Sequence, residues 1–290
     1  MFDWVALQQS LHAQGETGFR ADSVRPVSGG SINQAYVVEG GGRRYFVKLN
    51  AVALVDMFAA EAEGLRELAA AQAIRVPQVI GWGECAGHAY LVQEHLPLQG
   101  RGDAIKLGEQ LAALHRVCGE RYGWWRDNTI GATPQDNSQT DDWVEFWRHR
   151  RLGYQLQLAA RKGYGGRLQA RGERLLEALP ALIGHAPPAS LLHGDLWSGN
   201  QAYDGEGEPV IFDPAVYYGD RETDLAMTEL FGAFPADFYA AYADHYPLDP
   251  DYRLRKAVYN LYHVINHLNL FGRGYLAQAE DMIERLLAQC

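Results

Sequence analysis

The sequence predicts an α+β protein in two lobes, a small antiparallel sheet first and a mostly helical part after it. Three observations predict this. Residues 20–95 are strand-rich, with NQAYVVEGGGRRYFVKLN placing two β-prone runs around a glycine turn. From residue 103 onward the periodicity changes to long helical segments. A short strand-like PVIFD follows LLHGDLWSGN at hairpin distance, with the turn-prone DGEGE between them.

In YFVKL, Tyr45, Val47 and Leu49 share one face of an alternating strand, and Lys48 projects with Phe46 from the other. Residues 56–72, DMFAAEAEGLRELAAAQ, form the one helical pattern within the sheet region. Phe58, Glu61, Leu65 and Leu68 fall at i, i+3, i+7 and i+10, so Glu61 lies on the apolar stripe while Asp56, Glu63 and Glu67 lie outside it. Pro77 in IRVPQVIG closes that run. AYLVQEH, residues 89–95, reads as a later strand of the same sheet. LPLQGRG, residues 96–102, reads as a hinge between an N-lobe of residues 1–95 and a C-lobe of residues 103–290. Helical patterns then cover 103–118, 143–162, 168–183 and most of 253–288.

With 290 residues and 47% hydrophobic content, the chain can bury a substantial core. A net charge of −10 disfavours a broad surface for phosphate backbones, so no nucleic acid partner is expected. Three scattered cysteines, Cys85, Cys118 and Cys290, fit neither a disulfide framework nor a metal pair and suit a reducing cytoplasm. The start, MFDWVALQQSLHAQ, lacks the marks of a signal peptide, and no apolar run approaches the roughly 18 residues of a spanning helix; no membrane partner is expected.

Four features carry chemistry. Asp195 and Asn200 reproduce the spacing of the kinase loop H-R-D-x-x-x-x-N, with Gly194 in the arginine position. In that chemistry the aspartate accepts the proton of an attacking hydroxyl and the asparagine oxygen helps to hold a metal. Asp213, at the end of PVIFD, adds another hard oxygen, a set that suits Mg²⁺. Lys48, in so apolar a strand, needs an anionic partner; Glu61 is the candidate, and ATP phosphates are the further one. Ser28 to Tyr36, SGGSINQAY, offers a glycine loop with a hydroxyl for phosphates at Gly29, Gly30 and Ser31. Glu94, next to last in AYLVQEH, is counted with the nucleotide-binding residues. Each piece has a plainer reading: a turn, a snorkelling edge lysine, a surface glutamate, an Asx-rich loop. Their order decides, since glycine loop, strand lysine, helix glutamate, HGDxxxxN and strand-end aspartate follow one another as a two-lobed kinase requires.

Beyond these motifs, DNTIGATPQ, TDDWVEFWRHRRLGYQLQLA, IFDPAVYYGDRETDLAMTELFG and LYHVINHLNLFG resemble the fructosamine kinase (ketosamine kinase) family, relatives of the aminoglycoside phosphotransferases with a protein-kinase-like fold. The resemblance covers nearly the whole chain. It implies transfer of the ATP γ-phosphate to a sugar hydroxyl of a ketoamine, typically the 3-hydroxyl of a fructosamine or ribulosamine, with ATP and Mg²⁺ as cofactors. The acceptor is then a small ketoamine or a glycated amine or protein, and phosphorylation makes the adduct prone to elimination, reversing glycation. Carried over, Asp195 is the general base, Asn200 and Asp213 are Mg²⁺ ligands, Lys48 is the phosphate lysine with Glu61 as its partner, and Gly29, Gly30 and Ser31 line the phosphate loop.

Trp197 either stacks on the sugar ring or packs between lobes. Asn266 and His267 either border the acceptor pocket or pack within a helix. Asp220, Glu222 and Asp224 in GDRETD either brace the metal loop or attract a cationic amine acceptor, or else Asp220 and Asp224, at i and i+4, are helix-start carboxylates, the last being the safer reading. His193 is read as a brace for the loop and His115 as a satisfied core histidine. Asp213 precedes Pro214 and Ala215 rather than Phe-Gly, which speaks against control by activation-loop phosphorylation. The rivals are a kinase of another small acceptor (an aminoglycoside, choline or a thiosugar), a non-catalytic nucleotide-binding protein, and a metal-dependent hydrolase. Acceptor screening separates the first. The joint presence of Lys48, Asp195, Asn200 and Asp213 speaks against the second, and Asn200, Lys48 and the glycine loop have no place in the third.

Overall fold

The structure, a computed structural model, describes residues 2–27 and 32–290, so the expected phosphate-loop residues Gly29, Gly30 and Ser31 lie outside the described residues. The chain divides into two compact units, Met1–Asp103 with Ala202–Pro214, and Ala104–Gln201 with Ala215–Cys290.

The first unit opens with a helix that the sequence pattern did not announce, α1 (Trp4–Ala13). Asp3 caps it, its carboxylate accepting from the amides of Val5 and Ala6 at 3.0 Å each. Only Leu7 and Leu11 of this helix are fully buried, too short an apolar stripe to stand out as a period. Strands β1 (Ser23–Val27), β2 (Gln34–Gly40) and β3 (Arg43–Ala51) follow. Gly41 and Gly42 turn β2 into β3 with φ of +59° and +76°, the left-handed pair that a two-residue hairpin demands. Helix α2 (Val55–Ala70), β4 (Val79–Cys85) and β5 (His88–Glu94) complete an antiparallel sheet ordered β1-β2-β3-β5-β4.

Alternation along β3 divides the residues between two cores. Tyr45, Val47 and Leu49 pack with Leu7, Leu11, Val38, Tyr90 and Val92 on the α1 face. Phe58 and Ala62 of α2 pack with Ala89 and Leu91 on the other. Each fully buried Val, Leu or Phe here contributes about 1.5–3 kcal/mol. Strands Gln201–Tyr203 and Pro209–Ile211 pair as a ribbon. Asp204 shapes its turn, accepting from the amides of Glu206 and Glu208 at 2.9 and 3.0 Å while binding Arg75 at 2.5 Å.

The second unit holds α3 (Ala104–His115), the hairpin β6 (Asn128–Ile130) and β7 (Thr133–Gln135), α4 (Trp143–Phe146), α5 (Gly153–Arg161) and α6 (Arg167–Ile183). Strands β8 (Ser190–Leu192) and β9 (Tyr217–Gly219) pair antiparallel, and α7 (Glu222–Leu230), α8 (Ala236–His245), α9 (Tyr252–Phe271) and α10 (Leu276–Leu287) follow. The single helix expected over 143–162 is interrupted by a π turn at Trp147–Leu152. Within it Arg151 is fully buried, its guanidinium over the rings of Phe146 at 4.5 Å and Tyr217 at 4.1 Å and donating to Asn137 Oδ1 at 2.6 Å. The pattern over 253–288 likewise divides at Gly272, where φ is +93°. Among the described residues no helix is long and apolar enough to cross a membrane.

Candidate active site

In the first unit the site is built around Lys48. Opposite Leu91 of β5 and 5% exposed, it sends Nζ to Glu61 Oε1 and to Asp213 Oδ1, each at 2.6 Å. Glu61 rises from the apolar stripe of α2 where the helical spacing placed it, and also accepts from Gln93 Nε2 at 3.0 Å. Burial alone would lower the lysine pKa, but the Asp213 and Glu61 carboxylates more than reverse this and raise it. Burial raises the Glu61 carboxyl, aided by the like charge of Asp213 and opposed by Lys48 and Gln93. The two directions agree: one ammonium shared between two carboxylates compensates neither in full. Asp213 is 46% exposed at its side chain and holds a left-handed φ of 57°, a conformation that aspartate tolerates better than most residues. Glu94 lies outside this cluster, accepting from Arg75 Nη2 at 3.1 Å and the Gln78 amide at 3.2 Å.

In the second unit the centre is the loop after β8. Gly194 has φ +82°, and a Cβ there would lie 2.0 Å from the carbonyl oxygen of Ala215, so the position of the kinase arginine admits only glycine in this backbone. Asn200 Nδ2 donates to the Asp195 carbonyl at 2.9 Å and to its Oδ2 at 3.2 Å, which brings the expected base and metal ligand together. His193 braces the loop, its Nδ1 accepting from the Asp195 amide at 3.3 Å. Trp197 is 38% exposed and lies over Gly199, where a Cβ would meet its ring at 2.3 Å.

Asp224 corrects the helix-cap reading. It stands in the first turn of α7, yet Oδ2 accepts from the His193 amide at 2.7 Å and Oδ1 from the Gly194 amide at 2.9 Å. His115 Nε2 lies 3.3 Å from the same carboxylate. Burial would raise this carboxyl, but His115, His193 and the Gly194 amide outweigh it and hold it below the usual aspartate value. No local sequence signal separates such a brace from a cap, because both favour an acid at a helix start.

His267 packs against Phe231 at 4.5 Å, Tyr275 at 5.2 Å and Phe271 at 5.3 Å, and Ser198 Oγ of the loop donates to the Phe231 carbonyl at 3.1 Å. Its Nδ1 donates to the His263 carbonyl at 2.8 Å, and burial lowers its pKa. The ring is therefore a neutral Nδ1–H tautomer with Nε2 as an acceptor. Asn266 instead belongs to a buried amide chain, accepting from Gln155 Nε2 at 3.1 Å, while Asn269 Nδ2 donates to Gln155 Oε1 at 2.8 Å.

The oxygens that Asn200 and Asp213 can present are hard ligands, and with Asn200 Nδ2 committed to Asp195 its ligand atom would be Oδ1; both residues fit Mg²⁺. His185, Asp220 and Glu222 also gather within 4.8 Å. There Arg255 neutralises Glu222 at 2.6 and 2.9 Å, and Tyr259 and His185 bind Asp220 at 2.6 and 2.7 Å, which makes it an ion-pair network.

Compared with known proteins, residues 3–289 match the family model described as fructosamine kinase. A probable ketoamine kinase of Synechocystis sp. is 49% identical over 98% of this chain and 97% of its own length. A chloroplastic protein-ribulosamine 3-kinase of Arabidopsis thaliana is 42% identical over 90% of this chain and 81% of its own. A crystal structure named for a fructosamine-3-kinase of Haemophilus somnus has a TM-score of 0.89 at 30% identity, covering 98% of this chain and 97% of that one. The aminoglycoside phosphotransferase APH(4)-Ia shares the fold, with a TM-score of 0.61 at 18% identity and coverage of 92% and 94%. The expected protein-kinase-like α+β fold is the one observed.

Proposed function

The chain belongs to the fructosamine kinase family, and from that premise we propose that it transfers the γ-phosphate of ATP to a sugar hydroxyl of a ketoamine, the 3-hydroxyl of a fructosamine or ribulosamine. The observation that carries the phosphotransfer reading is the buried Lys48, held by Glu61 and Asp213 as a fixed positive charge suited to phosphate oxygens. The acceptor class rests on relatives named for ketoamines and ribulosamines.

Asp195 orients the acceptor hydroxyl and takes its proton as the oxygen attacks phosphorus. The bond from the γ-phosphorus to the β,γ-bridging oxygen breaks, and ADP leaves. Lys48 donates to phosphate oxygens, with Glu61 fixing its direction. Gly29, Gly30 and Ser31 supply loop donors, and Glu94 holds the end of β5 beside the nucleotide. Asn200 and Asp213 hold Mg²⁺, which when bound neutralises charge on the phosphates. Trp197 stacks on the sugar, His267 Nε2 accepts from an acceptor N–H or O–H, and Asn266 holds that helix segment in place. No covalent phosphoenzyme is involved.

The test is ADP release with ribulosamine, erythrulosamine and fructosamine compounds side by side, then location of the phosphate in the product by NMR. The expected product is the 3-phosphate, and Asp195→Asn lowers turnover by roughly 10²–10⁴ with ATP still bound. Turnover with unrelated alcohols alone would overturn the substrate class, and a fully active Asp195→Asn would remove that residue from the chemistry.

A further inference from the structure

The loop that carries Asp195 is fixed through Asp224, and Asp224 is met by a histidine whose tautomer is itself set from outside. His115 on α3 is fully buried, with Nε2 3.3 Å from Asp224 Oδ2 and Nδ1 2.8 Å from the hydroxyl of Tyr242 on α8. Tyr242 is 1% exposed, and the same hydroxyl receives Arg221 Nη1 at 3.0 Å. Arg221 is anchored in turn, donating to the carbonyls of Tyr246 at 2.9 Å and Pro247 at 2.5 Å, with its guanidinium 3.5 Å from the Tyr246 ring centroid.

Donor accounting gives this chain one direction. A guanidinium can only donate, so Arg221 occupies a lone pair of the Tyr242 oxygen. The single phenolic proton then goes to the other neighbour, His115 Nδ1. Burial raises the phenol pKa against the opposing pull of Arg221, so that proton stays on oxygen. With Nδ1 accepting, the ring proton of His115 sits on Nε2 and points at the carboxylate that grips the His193 and Gly194 amides. The opposite tautomer would turn a lone pair toward Asp224 and leave two acceptors facing each other in the interior, a loss comparable to an unmade buried hydrogen bond.

We propose that Tyr242, oriented by Arg221, is a positioning residue for phosphotransfer: it locks His115 in the Nε2–H tautomer and thereby holds the Asp195 loop through Asp224. The turnover part of this inference rests on the kinase reading above; the geometry does not. Tyr242→Phe removes the phenolic proton while keeping the ring. It is expected to lower kcat about fivefold, the kinetic equivalent of one hydrogen bond, with the KM for ATP unchanged.

The discriminating variant is His115→Phe, whose ring keeps most of the imidazole's bulk but carries neither donor nor acceptor, so Tyr242 has no tautomer left to choose. In that background Tyr242→Phe has no further effect on kcat, so the double-mutant cycle is strongly non-additive. Hydrogen–deuterium exchange supplies a readout independent of turnover: Tyr242→Phe speeds exchange of the His193 and Gly194 amides, and Phe238 and Leu225 amides in the flanking helices keep their wild-type rates. A kcat within twofold of wild type, additive effects in the cycle, or unchanged exchange at His193 and Gly194 would each overturn the proposal. A wild-type chain inactive on every ketoamine, with Tyr242→Phe still speeding exchange at His193 and Gly194, would count against the substrate reading and leave the tautomer lock standing.

Discussion

Lys48 answers to two carboxylates of unlike surroundings: Glu61 is 12% exposed at its side chain, and Asp213 46%. Removing the buried partner is the costlier change, because the lysine is then left with a half-solvated one. Glu61→Ala is expected to destabilise the protein by roughly 3 kcal/mol and to raise the KM for ATP, whereas Glu63→Ala shifts the thermal midpoint little; equal effects would show that the helix face was misassigned. This pairing was legible because two periods intersect, an alternation of two placing Lys48 and a period of 3.6 placing Glu61. The contact from Asp213 to the same ammonium was not, since nothing local ties residues so far apart in sequence. Asp224 was visible only as an acid at a helix start, and its choice of loop amides over helix amides is a tertiary fact.

At the scale of elements, the β8–α7 segment works as a clasp in which one carboxylate holds two consecutive amides. Asp224 is depressed in the fold and returns to about 3.9 when the chain unfolds. Its contribution is therefore complete above about pH 4 and is lost as pH falls through the lower folded value. Asp224→Asn should lower the thermal midpoint at neutral pH and flatten its fall on the acid side, a comparison made by melting both proteins between roughly pH 3 and 7. An unchanged acid slope would assign the acid sensitivity to other carboxylates. Most of the long helices and the strands β2, β3 and β5 could be read from the sequence pattern, including the Gly41–Gly42 hairpin, whereas β1, β4 and the three-residue strands β6, β7, β8 and β9 were not read. The π turn at Trp147–Leu152 could not, because one extra residue in a helical run leaves the apolar spacing almost intact while turning Arg151 inward among aromatic rings.

For the whole molecule, a charge of −10 sets a field that favours cationic acceptors. If the acceptor is a glycated basic protein, its kcat/KM should fall as salt rises from about 20 to 200 mM, while that of a small neutral-chain fructosamine changes less; identical salt dependence would exclude long-range attraction. The composition of the first unit from two separated stretches, Met1–Asp103 and Ala202–Pro214, has a further consequence for how the protein is made. A chain emerging from the ribosome presents Lys48 and Glu61 well before Asp213 has been translated, so the amino-terminal sheet, whose strands all lie within residues 23–94, waits for the rest of its unit while about a hundred intervening residues are synthesised. No single proteolytic cut or gene truncation can therefore release that unit whole.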